Sequence, residues 1–145
     1  MPAQFNLGNM LSDGKGVVQD YKEAVKWYRL AAEKGNAAAQ FNLGNMLKDG
    51  KGVIQDYKEA EKWYRSAAEQ GYAAAQYNLG VMYANGEGVI QDNVMAHMWL
   101  NIGASFGDKD AAKYRDIVGE RMTYADISKA RQLTRECVAK NYKGC

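Results

Sequence analysis

The chain has 145 residues, a formal net charge of +2 and 47% hydrophobic residues, enough to enclose a core, since folding at this size buries roughly two thirds of the extended chain's surface. Lys and Glu alternate along the same segments, which argues against a nucleic-acid surface, where cations gather on one face. No run approaches the ~18 apolar residues of a membrane span, and no basic region followed by an apolar core opens the chain in the manner of a signal peptide.

The stretch from Ala39 to Ala74 repeats Ala3 to Ala38 with differences only at Ser12/Lys48, Val18/Ile54, Val25/Glu61, Leu30/Ser66, Lys34/Gln70 and Asn36/Tyr72. A third, drifted copy runs from Ala75 to Asp110. A period of this length means stacked helix pairs, each too small to bury its own apolar face. The expected fold is therefore all-α, a solenoid of antiparallel helix pairs forming one domain over 1–145, with repeats at 3–38, 39–74 and 75–110 and a cap at 111–145. Ala3 aligns with Ala39, so Met1-Pro2 stands where the central copy has Ala37-Ala38. We expect a trimmed or mature form, with a leader or earlier repeats removed, periplasmic or secreted if a leader preceded it and cytoplasmic otherwise.

Within each repeat, Phe41, Leu43, Gly44, Met46 and Leu47 place apolar or small residues on adjoining turns of a first helix beginning near Ala37. Asp49-Gly50-Lys51-Gly52 ends it, and Val53 and Ile54 are expected to tuck the loop against the core. Asp56 opens the second helix as N-cap, with Glu59 completing a capping box. Ala60, Trp63, Tyr64, Ala67 and Ala68 then form one buried face, Trp63 filling the space between pairs, and Gly71 closes the helix.

In the third copy Tyr57, Lys58 and Glu59 become Asn93, Val94 and Met95, and Tyr64-Arg65 becomes Leu100-Asn101, which predicts contact with a following element. Lys109 to about Arg121 reads as that element. Met122-Thr123 turns the chain, and Thr123 starts a last helix with Ile127, Ala130, Leu133 and Cys137 on one stripe and Lys129, Arg131, Arg135 and Glu136 on a solvated face. Cys137 and Cys145, the only cysteines, suit a disulfide tying the chain end to this helix; the other reading is a buried Cys137 with a free terminal thiol.

The pattern Ala-Ala-Gln-Phe-Asn-Leu-Gly-Asn-Met-Leu, then Gly50-x-Gly52-Val53, Asp56, Ala60, Trp63, Ala67-Ala68 and Gly71, resembles the Sel1-like repeat, a relative of the tetratricopeptide repeat. The likeness covers Ala3 to Asp110, and Trp99 to Cys137 is similar to the ending common in bacterial members. Leu11 and Leu47 depart from the Tyr kept at Tyr83. The resemblance implies a right-handed superhelix whose first helices line a concave face, an adaptor for proteins or peptides, and often export from the cell.

Catalytic chemistry finds little material. His97 is the only histidine, and its counterparts Val25 and Glu61 suggest a partly exposed structural position. One histidine and two tail cysteines make no transition-metal cluster, and no cofactor is expected. Ser12-Asp-Gly-Lys15 matches the Ser-x-x-Lys of penicillin-recognising enzymes, and cysteine-rich members of the resembled family have been linked to β-lactams. However, the second copy has Lys48 for Ser12, and the companion Ser-Asp-Asn and Lys-Thr-Gly motifs are missing. Gly44 to Gly52 has neither the spacing nor the final hydroxyl of a phosphate loop.

A binding reading has better material. With Leu43, Gly44 and Leu47 packed inward, Asn42 and Asn45 lie about one turn apart on the other side, and the copies add Asn6, Asn9 and Asn78. Amides both donate and accept, so such a ladder can pair with the backbone of an extended peptide; alternatively it ties adjacent first helices together. Asparagines at similar places in tetratricopeptide domains clamp a terminal carboxylate, but Phe5, Phe41 and Tyr77 stand where its basic partners would be. The expected function is a non-enzymatic protein- or peptide-binding module using Asn6, Asn9, Phe41, Asn42, Asn45, Lys48, Tyr77 and Asn78. The alternatives are a β-lactam hydrolase using Ser12 and Lys15, or a spacer self-associating through its uncapped first repeat.

Overall fold

The computed structural model describes residues 2–145, and among them the chain forms eight helices and no strand. The expectation about what precedes Met1 lies outside the described residues. The chain divides into two compact units, Met1–Ala67 and Ala68–Cys145. The first holds α1 (Pro2–Asp13), α2 (Tyr21–Glu33), α3 (Ala37–Asp49) and α4 (Tyr57–Ala68), which ends at the boundary. The second holds α5 (Ala73–Asn85), α6 (Asn93–Ser105), α7 (Lys109–Gly119) and α8 (Tyr124–Ala139).

In the first unit each pair closes on a glycine. A Cβ at Gly44 would stand 2.7 Å from the ring of Tyr64, and one at Gly8 2.7 Å from the ring of Tyr28, so the second helix lays an aromatic face directly on the first helix's backbone. Tyr28 and Tyr64 are buried, whereas Trp63 is only half-buried. The tyrosine next to it, and not the expected tryptophan, fills the deepest place.

The Gly-x-Gly turn has two separate reasons. Gly50 caps α3 in the left-handed region, with φ 70°. Gly52 permits a close approach between repeats, because a Cβ there would collide with the Tyr21 carbonyl at the start of α2. Lys51 then lies over the Tyr21 ring at 5.6 Å, a cation–π contact. The loop turns Val53 partly inward and leaves Ile54 91% exposed, and the equivalent Val18 and Ile90 are exposed to the same degree at 89% and 90%. The expected tucking of Ile54 against the core does not occur.

Caps explain where the helices start. Asp20 and Asp56 accept from the amides of Glu23 and Glu59, both at 3.1 Å, Asn36 from Ala39 at 2.9 Å and Thr123 from Asp126 at 3.1 Å. The capping box fails on its return arm. The Asp56 amide donates to the Leu47 carbonyl, while the Glu59 carboxylate accepts from Arg29 at 2.8 Å and from Trp63 Nε1 at 3.1 Å. Two glutamine sets unread in the sequence seal the turns. Gln40 and Gln76 are buried and donate to the Ala32 and Ala68 carbonyls, each at 3.1 Å; Gln19, Gln55 and Gln91 donate to the Ser12, Lys48 and Ala84 carbonyls that end the first helices.

The second unit is organised around α6, which packs against α5, α7 and α8. Met98, Trp99, Leu100 and Ile102 are all fully buried, as the drift of the third copy predicts. Ala130 and Cys137 of α8 face this core, and Ile127 and Leu133 are half-buried beside them. Cys137 and Cys145 stand at disulfide distance, 1.98 Å between sulfurs. The short tail carries Tyr142 to the Phe106 ring at 5.8 Å, and the Gly144 amide donates to the Glu69 carboxylate at 3.2 Å.

Candidate functional site

The first helices of the first unit place Asn9, Asn42, Asn45 and Lys48 around one open cavity of about 680 Å³. Ser12, Asp13, Gln19, Tyr21, Tyr28, Met46, Asp49 and Lys51 complete its lining. These side chains meet because the repeat sets equivalent residues of α1 and α3 side by side. The lining carries both signs of charge, Lys48 and Lys51 with Asp13 and Asp49.

The asparagines are held from behind. The Tyr28 hydroxyl donates to Asn9 Oδ1 at 2.6 Å and the Tyr64 hydroxyl to Asn45 Oδ1 at 2.5 Å. Asn42 Nδ2 reaches Asn9 Oδ1 at 3.3 Å, so this amide does tie α3 to α1. Burial pushes the Tyr28 phenol above its ordinary 10.0, Ser12 and Asn42 draw it down by hydrogen bonding, and the Asp13 charge adds to the rise. Tyr28 therefore stays a neutral hydroxyl at any physiological pH, and both tyrosine hydroxyls are directed at the side-chain oxygens of their asparagines.

Other predicted site residues lie elsewhere. Asn6 is exposed on α1, and Phe41 packs its ring on Tyr64 at 5.9 Å. Tyr77 and Asn78 belong to α5 in the second unit, where Tyr77 meets Tyr114 edge-on at 6.4 Å and 81°. Burial raises the Tyr77 phenol above its ordinary value, with Asp110 next in effect. Ser12 lines the cavity, but Lys15 lies past the end of α1 and does not; the lysines of the lining are Lys48 and Lys51.

His97 departs from its expected position. It is only 6% exposed, near Gly119 of α7, whose added Cβ would lie 3.8 Å from its ring, and its Nδ1 is buried without a hydrogen-bond partner. Burial lowers its pKa below the ordinary 6.5, and the charges of Arg115 and Arg131 lower it further against the opposing Asp116. Glu61, its counterpart in the second copy, pairs with Arg65, so that substitution concealed a change of environment. Among the described residues no group of three His, Cys, Asp or Glu is placed to hold a metal ion, and no helix is long and apolar enough to cross a membrane.

The family model of the Sel1 repeat matches residues 2–36, 37–72 and 73–108. The chain belongs to the Sel1 repeat family. Sel1 repeats are generally protein-interaction modules. A solved Sel1 repeat protein from Oxalobacter formigenes is 40% identical, with a TM-score of 0.73, over 79% of this chain and 86% of that one. A protective antigen present in uropathogenic Escherichia coli strains, displaying an SLR fold, is 38% identical with a TM-score of 0.88 over 97% of this chain. This Sel1 chain spans about a third of that antigen's length, 31%. A search of curated protein sequences gave no match.

Proposed function

We propose that this Sel1 repeat chain is a non-catalytic binding module that takes an extended peptide of a partner protein in the cavity of its first unit. The observation that carries the reading is the row of Asn9, Asn42 and Asn45 along one polar cavity of about 680 Å³, with tyrosine hydroxyls orienting two of the amides. Oriented amides serve a peptide backbone without strong demands on its sequence, and preorganisation lowers the ordering cost of binding. Lys48, Lys51, Asp13 and Asp49 around the same space supply the selectivity the amides lack.

A library of displayed random peptides selected on the intact chain tests this reading. Selected peptides should lose affinity for a Lys48→Ala, Asn42→Ala variant whose thermal midpoint stays near that of the parent. If that variant binds them as well as the parent does, the cavity is not the site. If it only loses stability, the amides serve to tie the helices together.

A further inference from the structure

We propose that the outer face of α8 is a second docking surface, built from residues other than those of the cavity, and that it takes an acidic segment of a partner protein. The proposal does not depend on the peptide reading above.

Charge is unevenly distributed along the chain. Residues 111–145 hold eight Lys and Arg against four Asp and Glu, whereas residues 1–110 hold eleven against thirteen. The arginines outside the cap are committed: Arg29 pairs with Glu59 at 2.8 Å and Arg65 with Glu61 at 2.6 Å. Arg115 of α7 pairs with Asp116 at 3.1 Å and donates to Asn101 at 3.0 Å. Lys129, Arg131 and Arg135 are exposed and, among the described residues, belong to no ion pair. Glu136, the carboxylate next to Arg135, accepts instead from Gln132 at 2.9 Å.

These three cations line one shallow depression of about 640 Å³ with Ala125, Ser128 and Gln132. Arg131 and Arg135 are four residues apart, so they project from one face with an axial separation of about 6 Å. Alternate side chains of an extended chain point the same way about 7 Å apart. Carboxylates at alternate positions of an extended segment therefore meet the two guanidinium forks in register, and guanidinium binds carboxylate bidentately at modest desolvation cost. Ser128 and Gln132 offer hydrogen bonds to the segment's backbone. The lining has no aromatic ring to stack a base and no large apolar side chain to enter a lipid surface.

The test uses the full chain and a labelled peptide alternating Glu with Ser, followed by fluorescence anisotropy at rising salt. Binding should weaken with salt, and Arg131→Gln with Arg135→Gln should lower affinity by about tenfold or more, as expected for losing two charge-assisted contacts. Arg131→Lys with Arg135→Lys should retain part of the affinity, which keeps the result readable if the glutamine pair impairs folding. Lys109→Ala, which removes an exposed cation belonging to neither the depression nor the cavity, should leave the affinity unchanged. Affinity lost in Lys48→Ala but kept in the glutamine pair would put the peptide in the cavity and overturn the proposal. Unchanged affinity in the glutamine variant would falsify the proposal. So would binding only to phosphatidylserine vesicles or single-stranded DNA, or sedimentation showing that a second copy of the chain occupies the face.

Discussion

The helices α4 and α6 occupy the same place in successive repeats, one in each unit, yet they live in different surroundings. Lys62, exposed on α4, becomes Met98, fully buried on α6; Ser66 becomes Ile102, Glu61 becomes His97, and half-buried Trp63 becomes fully buried Trp99. The repeat scaffold tolerates both sets because Gly44 and Gly80 keep the same close contact, on Tyr64 and on Leu100, each with a Cβ distance of 2.7 Å. What differs is the outer face, which on α6 is a seat for α7 and α8. A repeat helix thus has one face that belongs to the fold and another whose chemistry records what covers it.

Exchanging residues between the two helices tests this division of faces most severely. Met98→Lys puts an ammonium into a core with no partner and should cost about 3 kcal/mol or more in a urea titration, whereas Lys62→Met should be within about 0.5 kcal/mol of the parent. Equal effects would mean that α8 does not protect α6 in solution. Smaller, and aimed at what the two helices share, Gly44→Ala should cost about 1–3 kcal/mol through overpacking on Tyr64. A stable Gly44→Ala chain would show that the Tyr64 ring can withdraw.

The smallest effect is one of pH. His97 is held neutral, so the unfolded chain takes up its proton first as pH falls. Its contribution is complete above the ordinary value of 6.5 and is lost progressively below it, until the depressed folded value is reached. Replacing His97 with Val, the residue of the first copy, should flatten the stability profile between pH 7 and pH 5, an interval about the ordinary histidine value. An unchanged slope would place the titration elsewhere.

Much of this architecture was legible from the repeat itself. Asp20, Asp56 and Thr123 announce helix starts by their chemistry, the drift from Lys58-Glu59 to Val94-Met95 and from Tyr64-Arg65 to Leu100-Asn101 announces the cap, and the position of Cys137 on the apolar stripe announces its burial. The errors share a cause, because periodicity assigns a residue to a helix face without saying what lies opposite. His97 read as exposed because Glu61 is charged, and Glu59 read as a capping residue because Arg29, thirty residues earlier, is invisible to local spacing. Ile54 read as tucked against the core together with Val53, yet the same position is exposed in every copy, at Val18, Ile54 and Ile90, so the repeat itself points it outward. In the candidate site, the asparagine row was legible and the tyrosines behind it were not, since Tyr28 and Tyr64 lie nineteen residues from the amides they orient.

Gln40 gives the repeat a grammar of its own. Its amide closes on the Ala32 main chain at 3.1 Å, and Gln76 does the same at Ala68; a carbonyl is common to every amino acid, so this seam ignores which side chains precede it. Splicing an extra copy of residues 37–72 into the chain therefore calls for no rewriting at the join. Such a protein can grow by tandem duplication first and diversify afterwards, each new copy arriving with its own fastening already in place.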